Sequence, residues 1–458
     1  MRKFLRKMFK VIGISFLAGL VVLLVLNIIW SRQVKAEIAK IKAKGEPTSM
    51  ADLAKPAIPD SQNAALIYIE IGKRLSTDDA RKDMHTLREF TSRQSREKNP
   101  RLWDESRAII GKYKDVVALT ESAEAKPRCR FPADWSKGAT EATPWRHYSK
   151  LRSLARLLHA NALLSAKDGR MEECCRLLNL SFKLTNALKE EPSLIAYLSR
   201  IVLLMTASRG LQDSLQYGLF DEHQSKQLFD TLRGVDLEEG YRRMLLGERV
   251  LFLRDLPQVR GAEMIETSRV QDFTGLVEML SGNHGRAMRH VTDLILGAAY
   301  DLACRNGDRL VWLRFMDRQM KGVRLSYKDA ESKGILKDPH LPFFAVMSNM
   351  AGPVEARMTR SRFRTMAISA GDQTELALLS YKDRYGAYPN DLAELQAKLG
   401  YELPTDVYSG GSLIYKRQGK GFILYSVGPD LKDDGGNGPA RPDLIEDKGG
   451  DMVWRMDR

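Results

Sequence analysis

The sequence predicts a mainly α-helical protein with an N-terminal transmembrane helix, an α-helical middle domain and a small C-terminal α+β domain. In the last part a long helix lies on an antiparallel sheet. Three observations carry this expectation. Val11–Trp30 is an unbroken run without a charge. Apolar residues recur at helical spacing through much of 61–350, as in Leu151, Leu154, Leu158 and Ala162. Past Tyr385 the pattern changes to Gly386-Ala-Tyr388-Pro389, a short helix and two strand-like runs joined by Gln418-Gly-Lys-Gly421. The implied organisation is a cytoplasmic tail at 1–10, a transmembrane helix at 11–30, a linker or stalk at 31–60, a helical domain at 61–350 and the α+β domain at 351–458.

The apolar run comes first. As a helix, Val11–Trp30 spans about 30 Å, the thickness of a bilayer's hydrocarbon core. Trp30 stands where an interfacial aromatic anchor belongs. Arg2, Lys3, Arg6, Lys7 and Lys10 precede the run, and Arg32, Lys35, Lys40, Lys42 and Lys44 follow it. The short basic tail favours an N-in, C-out orientation. The run is longer than a signal-peptide core and Val34-Lys-Ala36 is a poor cleavage site, so the segment reads as an uncleaved anchor. The expected setting is a bacterial inner membrane, single-pass, with the bulk of the chain periplasmic. A net charge of +14 over 458 residues then favours anionic lipid, protein or envelope-polymer partners. No nucleic-acid motif is present, and nucleic acid is not an expected partner.

Within the helical region, Asp168-Gly169 separates two helices, and Met171–Leu188 forms the second. Asp168-Gly169-Arg170 resembles the inter-helix turn of a tetratricopeptide unit, without a second copy at the repeat spacing. Ile201–Ala207 is apolar on nearly all faces and is flanked by Arg200 and Arg209, which marks a buried core helix. Further helices fit Ser225–Leu232, Leu237–Leu253, Thr274–Leu280, Arg289–Leu302 and Asp308–Val323. Residues 76–147 are rich in charge and give no clear pattern, and Trp135-Ser-Lys-Gly138 with Pro127, Pro132 and Pro144 implies loops. Gly247-Glu248-Arg249 in an apolar helix suggests an internal ion pair. Gly352-Pro353 suggests a break or sharp kink, followed by a helix from Val354 to about Tyr385. The stripe Arg357, Arg360, Arg364, with Arg362 to one side, reads as a solvated face. Cys129, Cys174, Cys175 and Cys304 lack zinc or redox spacing and read as small buried residues, with a Cys129–Cys304 disulfide open to an extracytoplasmic domain.

The terminal region has a clear physical grammar. Gly386 suits a left-handed helix cap, Pro389 cannot continue the helix, and Asn390 is a candidate N-cap for a short helix over 391–399. Ser412–Lys416 and Phe422–Val427 form a hairpin, and Asp451–Arg455 is a last edge strand. Tyr415, Phe422, Leu424 and Trp454 are candidates to cover the long helix. The tail is acidic in a basic chain: Asp430, Asp433, Asp434, Asp443 and Asp451 lie between or beside glycines.

This order of helix, Gly-Tyr-Pro stop, short helix, hairpin and acidic Gly-rich loop resembles the C-terminal domain of the major pseudopilin of type II secretion (protein G-like) over about 355–458. The resemblance implies a long helix packed on a small antiparallel sheet and a loop that holds Ca2+. Asp430 matches the family's first loop aspartate and Asp451 is similar to the later one, with Asp443 competing for that role. Asp433, Asp434 and Asn437 supply further oxygens. The spacing is not that of an EF-hand, since Lys432 and Arg441 fall at ligand positions. Residues 1–30 also lack the glutamate that a pseudopilin carries in its apolar helix.

The signatures of hydrolases, nucleotide-binding loops and zinc proteases are missing. His284 and His290, the nearest histidine pair, sit on different helical faces. The sequence therefore points to a membrane-anchored, extracytoplasmic, non-enzymatic binding or structural protein. Two alternatives stay open: an extracytoplasmic hydrolase using a cleft near Glu248, and an accessory subunit of a secretion assembly.

Overall fold

The computed structural model describes residues 2–53, 56, 58–133, 145–256, 260–261, 297–439 and 449–457. The expected helix Thr274–Leu280, most of Arg289–Leu302, His284, His290 and Asp443 lie outside the described residues.

Helix α1 (Arg2–Ala43) carries the apolar run and the stalk without interruption. Its C-terminal part is not a free linker. Val34, Ile38 and Ile41 recur at helical spacing and bury against Leu253, Leu310 and Leu313. A short α2 (Met50–Leu53) follows. Helix α3 (Ala65–Arg74) comes next, and the charged stretch after it is largely helical as far as Glu124: α4 (Asp78–Phe90), α5 (Arg93–Lys98), α6 (Leu102–Lys112) and α7 (Lys114–Glu124), while Trp135–Gly138 and Pro144 lie outside the described residues. The reason is spacing. In α4, Ala80, Met84, Leu87 and Phe90 make an inward stripe while the charges face water.

The hairpin of α8 (Trp145–Lys167) and α9 (Met171–Leu184) forms as expected. Gly169 turns it at a φ of 76°, and Arg107 holds Asp168 with two hydrogen bonds of 2.6 and 2.7 Å. The last turn, Thr185–Leu188, tightens to a 3-10 helix. Helix α10 (Leu194–Ser214) starts at Ser193, whose side chain accepts from the Ala196 N–H. Among the described residues α10 is long and apolar enough to cross a membrane, yet most of it is buried inside the body. Helix α11 (Glu222–Arg233) opens on an Asp221–Gln224 capping box. Helix α12 (Leu237–Asp255) opens on Asp236.

Past the undescribed stretch, a π-turn at Tyr300–Cys304 leads into α13 (Arg305–Lys321). Helix α13 runs alongside α1 in the same direction: Asn306 bonds Asn27, Arg314 reaches Gln33 and Lys44 reaches Asp317. After the short α14 (Tyr327–Ser332) comes α15 (Val346–Tyr385), 40 residues long. The expected break at Gly352-Pro353 does not occur; α15 passes through it. Pro353 leaves the ladder one hydrogen bond short, and Asp308 supports the start of the helix by accepting from the Met347 and Ser348 N–H groups at 2.8 and 3.1 Å.

Gly386 ends α15 in the left-handed region, its N–H on the Lys382 carbonyl. Helix α16 (Leu392–Leu399) is capped by Asp391, not Asn390. The Asp391 carboxylate takes the Glu394 N–H at 2.8 Å, while Glu394 reaches back to the Asn390 N–H. Strands β1 (Ile414–Gln418), β2 (Gly421–Ser426) and β3 (Met452–Met456) form an antiparallel sheet in the order β1-β2-β3. Leu424 stands opposite both Tyr415 and Trp454. Phe422, Leu424, Met452 and Trp454 join the same buried cluster as Leu158, Leu178, Leu204 and Leu228. Apolar side chains from either side of the expected boundary at 350 therefore share one core.

Candidate functional site

The acidic loop lies across the outer face of the sheet. Ile423, Tyr425 and Val453 make a small apolar floor there. Glycine is required where the loop crosses it: a Cβ on Gly436 would stand 2.6 Å from Ile423, and one on Gly438 would stand 2.0 Å from the Asp451 carbonyl oxygen. Gly428, Gly435, Gly436, Gly449 and Gly450 all have positive φ, as does Leu431 at 60°.

The candidate ligands divide by environment. Asp430 is half-buried; its carboxylate accepts from the Lys432 N–H at 3.2 Å and the Gly450 N–H at 3.1 Å. Asp433 is exposed and accepts from the Gly435 N–H at 2.9 Å and the Tyr425 hydroxyl at 3.0 Å, which hold its carboxyl below the usual range. Asp434 and Asn437 are exposed. Asp451 is fully buried. Its Oδ2 accepts from Gly436 at 2.7 Å, while its Oδ1 has no partner among the described residues. Burial raises the Asp451 pKa and the Asp434 and Asp433 charges add to that, against the opposing N–H groups of Gly436 and Asp434.

The donor chemistry, several carboxylates on a chain bent by glycines, suits a hard cation. The spacing does not form a finished cage: among the described residues no three acidic, histidine or cysteine side chains stand close enough to hold an ion. Among the described residues of the loop, the orphaned Asp451 Oδ1 is a group that a cation would complete.

A second polar cluster was hidden in the sequence. It joins the sheet to the helical body. Asp372 on α15 accepts from Ser208 at 2.5 Å, Gln212 at 3.1 Å and the Trp454 indole N–H at 2.9 Å. Gln212 also donates to Glu375. Burial, with Asp372 beside it, raises the Glu375 pKa to about 8, against the opposing Gln212 bond. Gly371 admits the indole: a Cβ there would lie 2.0 Å from Trp454. Asp372-Gln373-Thr374-Glu375 is a run of four polar residues between the apolar Ala367-Ile368 and Leu376–Leu379 of α15, and that run is the signal the sequence offers.

The expected Glu248–Arg249 ion pair is not formed, because neighbouring positions on a helix diverge. Arg249 bonds Glu46 at 2.7 Å and the Pro47 carbonyl at 3.0 Å. Glu248 turns inward and accepts from the Leu194 N–H at 2.7 Å. Burial raises its pKa to about 7, and burial with Glu248 nearby raises Glu355 well above the usual carboxylate range. Glu355 Oε2 has no partner among the described residues. Glu355 is fully buried, whereas Glu248 keeps part of its surface accessible. His159 and Arg96 face Asp213 at 3.1 and 3.5 Å in another buried cluster. Of the arginine stripe Arg357 is exposed while Arg360 and Arg364 are half-buried; Arg362, to one side of it, is buried, bonds the Val323 carbonyl at 2.7 Å and lies over Tyr241 and Phe363. The four cysteines are unpaired, with Cys129, Cys174 and Cys175 buried.

The fold and these clusters define a mainly helical protein closed at its C-terminal end by a three-stranded antiparallel sheet. Set beside known families, curated proteins and solved structures, the chain matches none of them.

Proposed function

We propose that the chain is a single-pass membrane protein of a bacterial inner membrane whose body lies in the periplasm and serves as a non-enzymatic binding or structural module. One observation carries the reading. The flank of α1 at Ile14, Val21, Val22, Leu24, Val25, Ile28 and Ile29 is exposed, while the same helix from Trp30 onward is docked on the body. A contiguous apolar surface of that kind in water is a strong liability; in lipid it is satisfied. The full burial of Glu355 is consistent with a non-catalytic, structural use of that carboxylate. In membranes from expressing cells, the full chain stays in the pellet after alkaline carbonate extraction, and a variant lacking residues 2–26 is released. Release of the full chain would overturn the anchor.

The acidic loop we read as a calcium site formed by Asp430, Asp433, Asp434 and Asp451, with Asn437 and Asp443 as further oxygen donors. The supporting observation is the buried, unpartnered Oδ1 of Asp451. A bound cation would relieve the like charges around it, so binding would stabilise the fold by mass action, about 2.7 kcal/mol at a hundredfold excess over Kd. Calcium raises the melting temperature of the full chain and protects 428–451 from proteolysis; Asp451→Asn removes the response. Identical melting with calcium and with chelator would remove the site.

A further inference from the structure

We propose that the Pro339–Ala345 loop is a second membrane contact, seated in the headgroup layer of the bilayer that holds α1. The proposal rests on the anchor reading above and adds a surface to it.

The loop is placed by packing against α1 itself. The Phe344 ring stacks on Trp30, with centroids 5.0 Å apart and planes at 25°. Gly307 allows this approach: a Cβ there would stand 2.8 Å from the Trp30 ring and 2.9 Å from the Phe344 ring. Trp30 ends the apolar run, so it marks the membrane–water interface, and Phe344 shares its depth. Phe343 beside it is 87% exposed. Because α13 runs parallel to α1, with Asn306 bonded to Asn27 at 2.7 Å, the turn before α13 lies beside the apolar length of α1. Leu302 in that turn is 52% exposed. Leu302 and Phe343 thus present exposed apolar side chains in elements packed beside the flank of α1, with the neighbouring Asp301 charge paired to Arg305.

The loop is braced in this position. The Asn349 side-chain amide donates to the Pro342 and Ala345 carbonyls, both at 2.9 Å. Asp308 fixes the first turn of α15 just beyond. Residues 339–352 contain no Asp, Glu, Lys or Arg. A held, uncharged loop that turns an aromatic ring outward beside an anchor helix has the chemistry of an interfacial insertion, in which the ring meets the acyl boundary and the backbone keeps its internal partners. Two contacts in place of one would fix the tilt of the body over the membrane.

The test uses the full chain in phosphatidylcholine–phosphatidylglycerol vesicles on a Cys304→Ser background, since the other cysteines are buried. An environment-sensitive fluorophore is placed singly at Val21→Cys, Phe343→Cys and Gln418→Cys. Spin-labelled lipids with shallow or deep quenchers report membrane depth, and iodide reports water. The expected result is deep quenching at 21, shallow quenching at 343 with iodide access several-fold below that at 418, and no lipid quenching at 418. Lipid quenching at 21 with a 343 label that behaves like 418, or that is shielded from both quenchers by bound protein, overturns the loop contact while leaving the anchor intact. Absence of lipid quenching at 21 overturns both.

Discussion

Trp454→Ala lowers the unfolding free energy of the full chain by about 3–5 kcal/mol, the cost of emptying a large, fully enclosed aromatic site. Trp454 is the joint between the sheet and the long helix. Its ring fills the notch left by Gly371, and its indole N–H is one of the donors on Asp372. Removing it leaves a cavity on α15 and takes a hydrogen bond from a buried carboxylate in one step. Trp454→Phe separates the two effects: most of the ring remains, and the lost N–H costs about 1–3 kcal/mol. Denaturant midpoints measure both variants, and protease release of the segment after Gly386 shows where the structure opens. A midpoint change in Trp454→Ala equivalent to less than about 1 kcal/mol would contradict the shared core.

Stability falls as pH rises from about 5 to 9. Glu248 and Glu375 carry pKa values near 7 and 8 in the folded chain, above the range of about 4.3 for a solvated glutamate. The folded state therefore holds protons that the unfolded state has released. The stabilisation is fully present below the unfolded value and is lost as pH rises through the folded values. A shift of this kind is worth on the order of 3 kcal/mol for one such group. Glu375→Gln keeps the neutral form at every pH, so it flattens the decline and raises the melting temperature at pH 9 relative to the parent. Glu248→Gln acts in the same direction at its own cluster. Melting curves across this range decide the matter: a parent whose stability climbs with pH, or a Glu375→Gln variant that declines as steeply, would refute the assignment of buried acids.

Much of the architecture is written in local signals. The hairpin at Gly169, the left-handed cap at Gly386 and the β1–β2 hairpin each follow from a few adjacent residues, and each forms. The failures have physical causes too. Gly352-Pro353 signals a break, but Asp308, about forty residues earlier in the chain, satisfies the exposed N–H groups at the start of α15 and the helix survives. Asn390 and Asp391 are both good caps, and only the geometry of Glu394 chooses between them. In 76–147 the high charge masked narrow apolar stripes. The candidate site splits in the same way. The acidic loop is visible as composition, whereas the Asp372–Glu375–Gln212–Trp454 junction draws on residues far apart in sequence and shows there only as a short polar run, Asp372–Glu375, inside a long helix.

The central claim is that α1 crosses the membrane once and carries the body to the outer side. An epitope inserted at the exposed Gly419-Lys420 turn tests it most directly. Antibody added to intact spheroplasts labels that epitope without lysis if the body is periplasmic. Labelling that requires permeabilised cells would place the body in the cytoplasm and contradict the account.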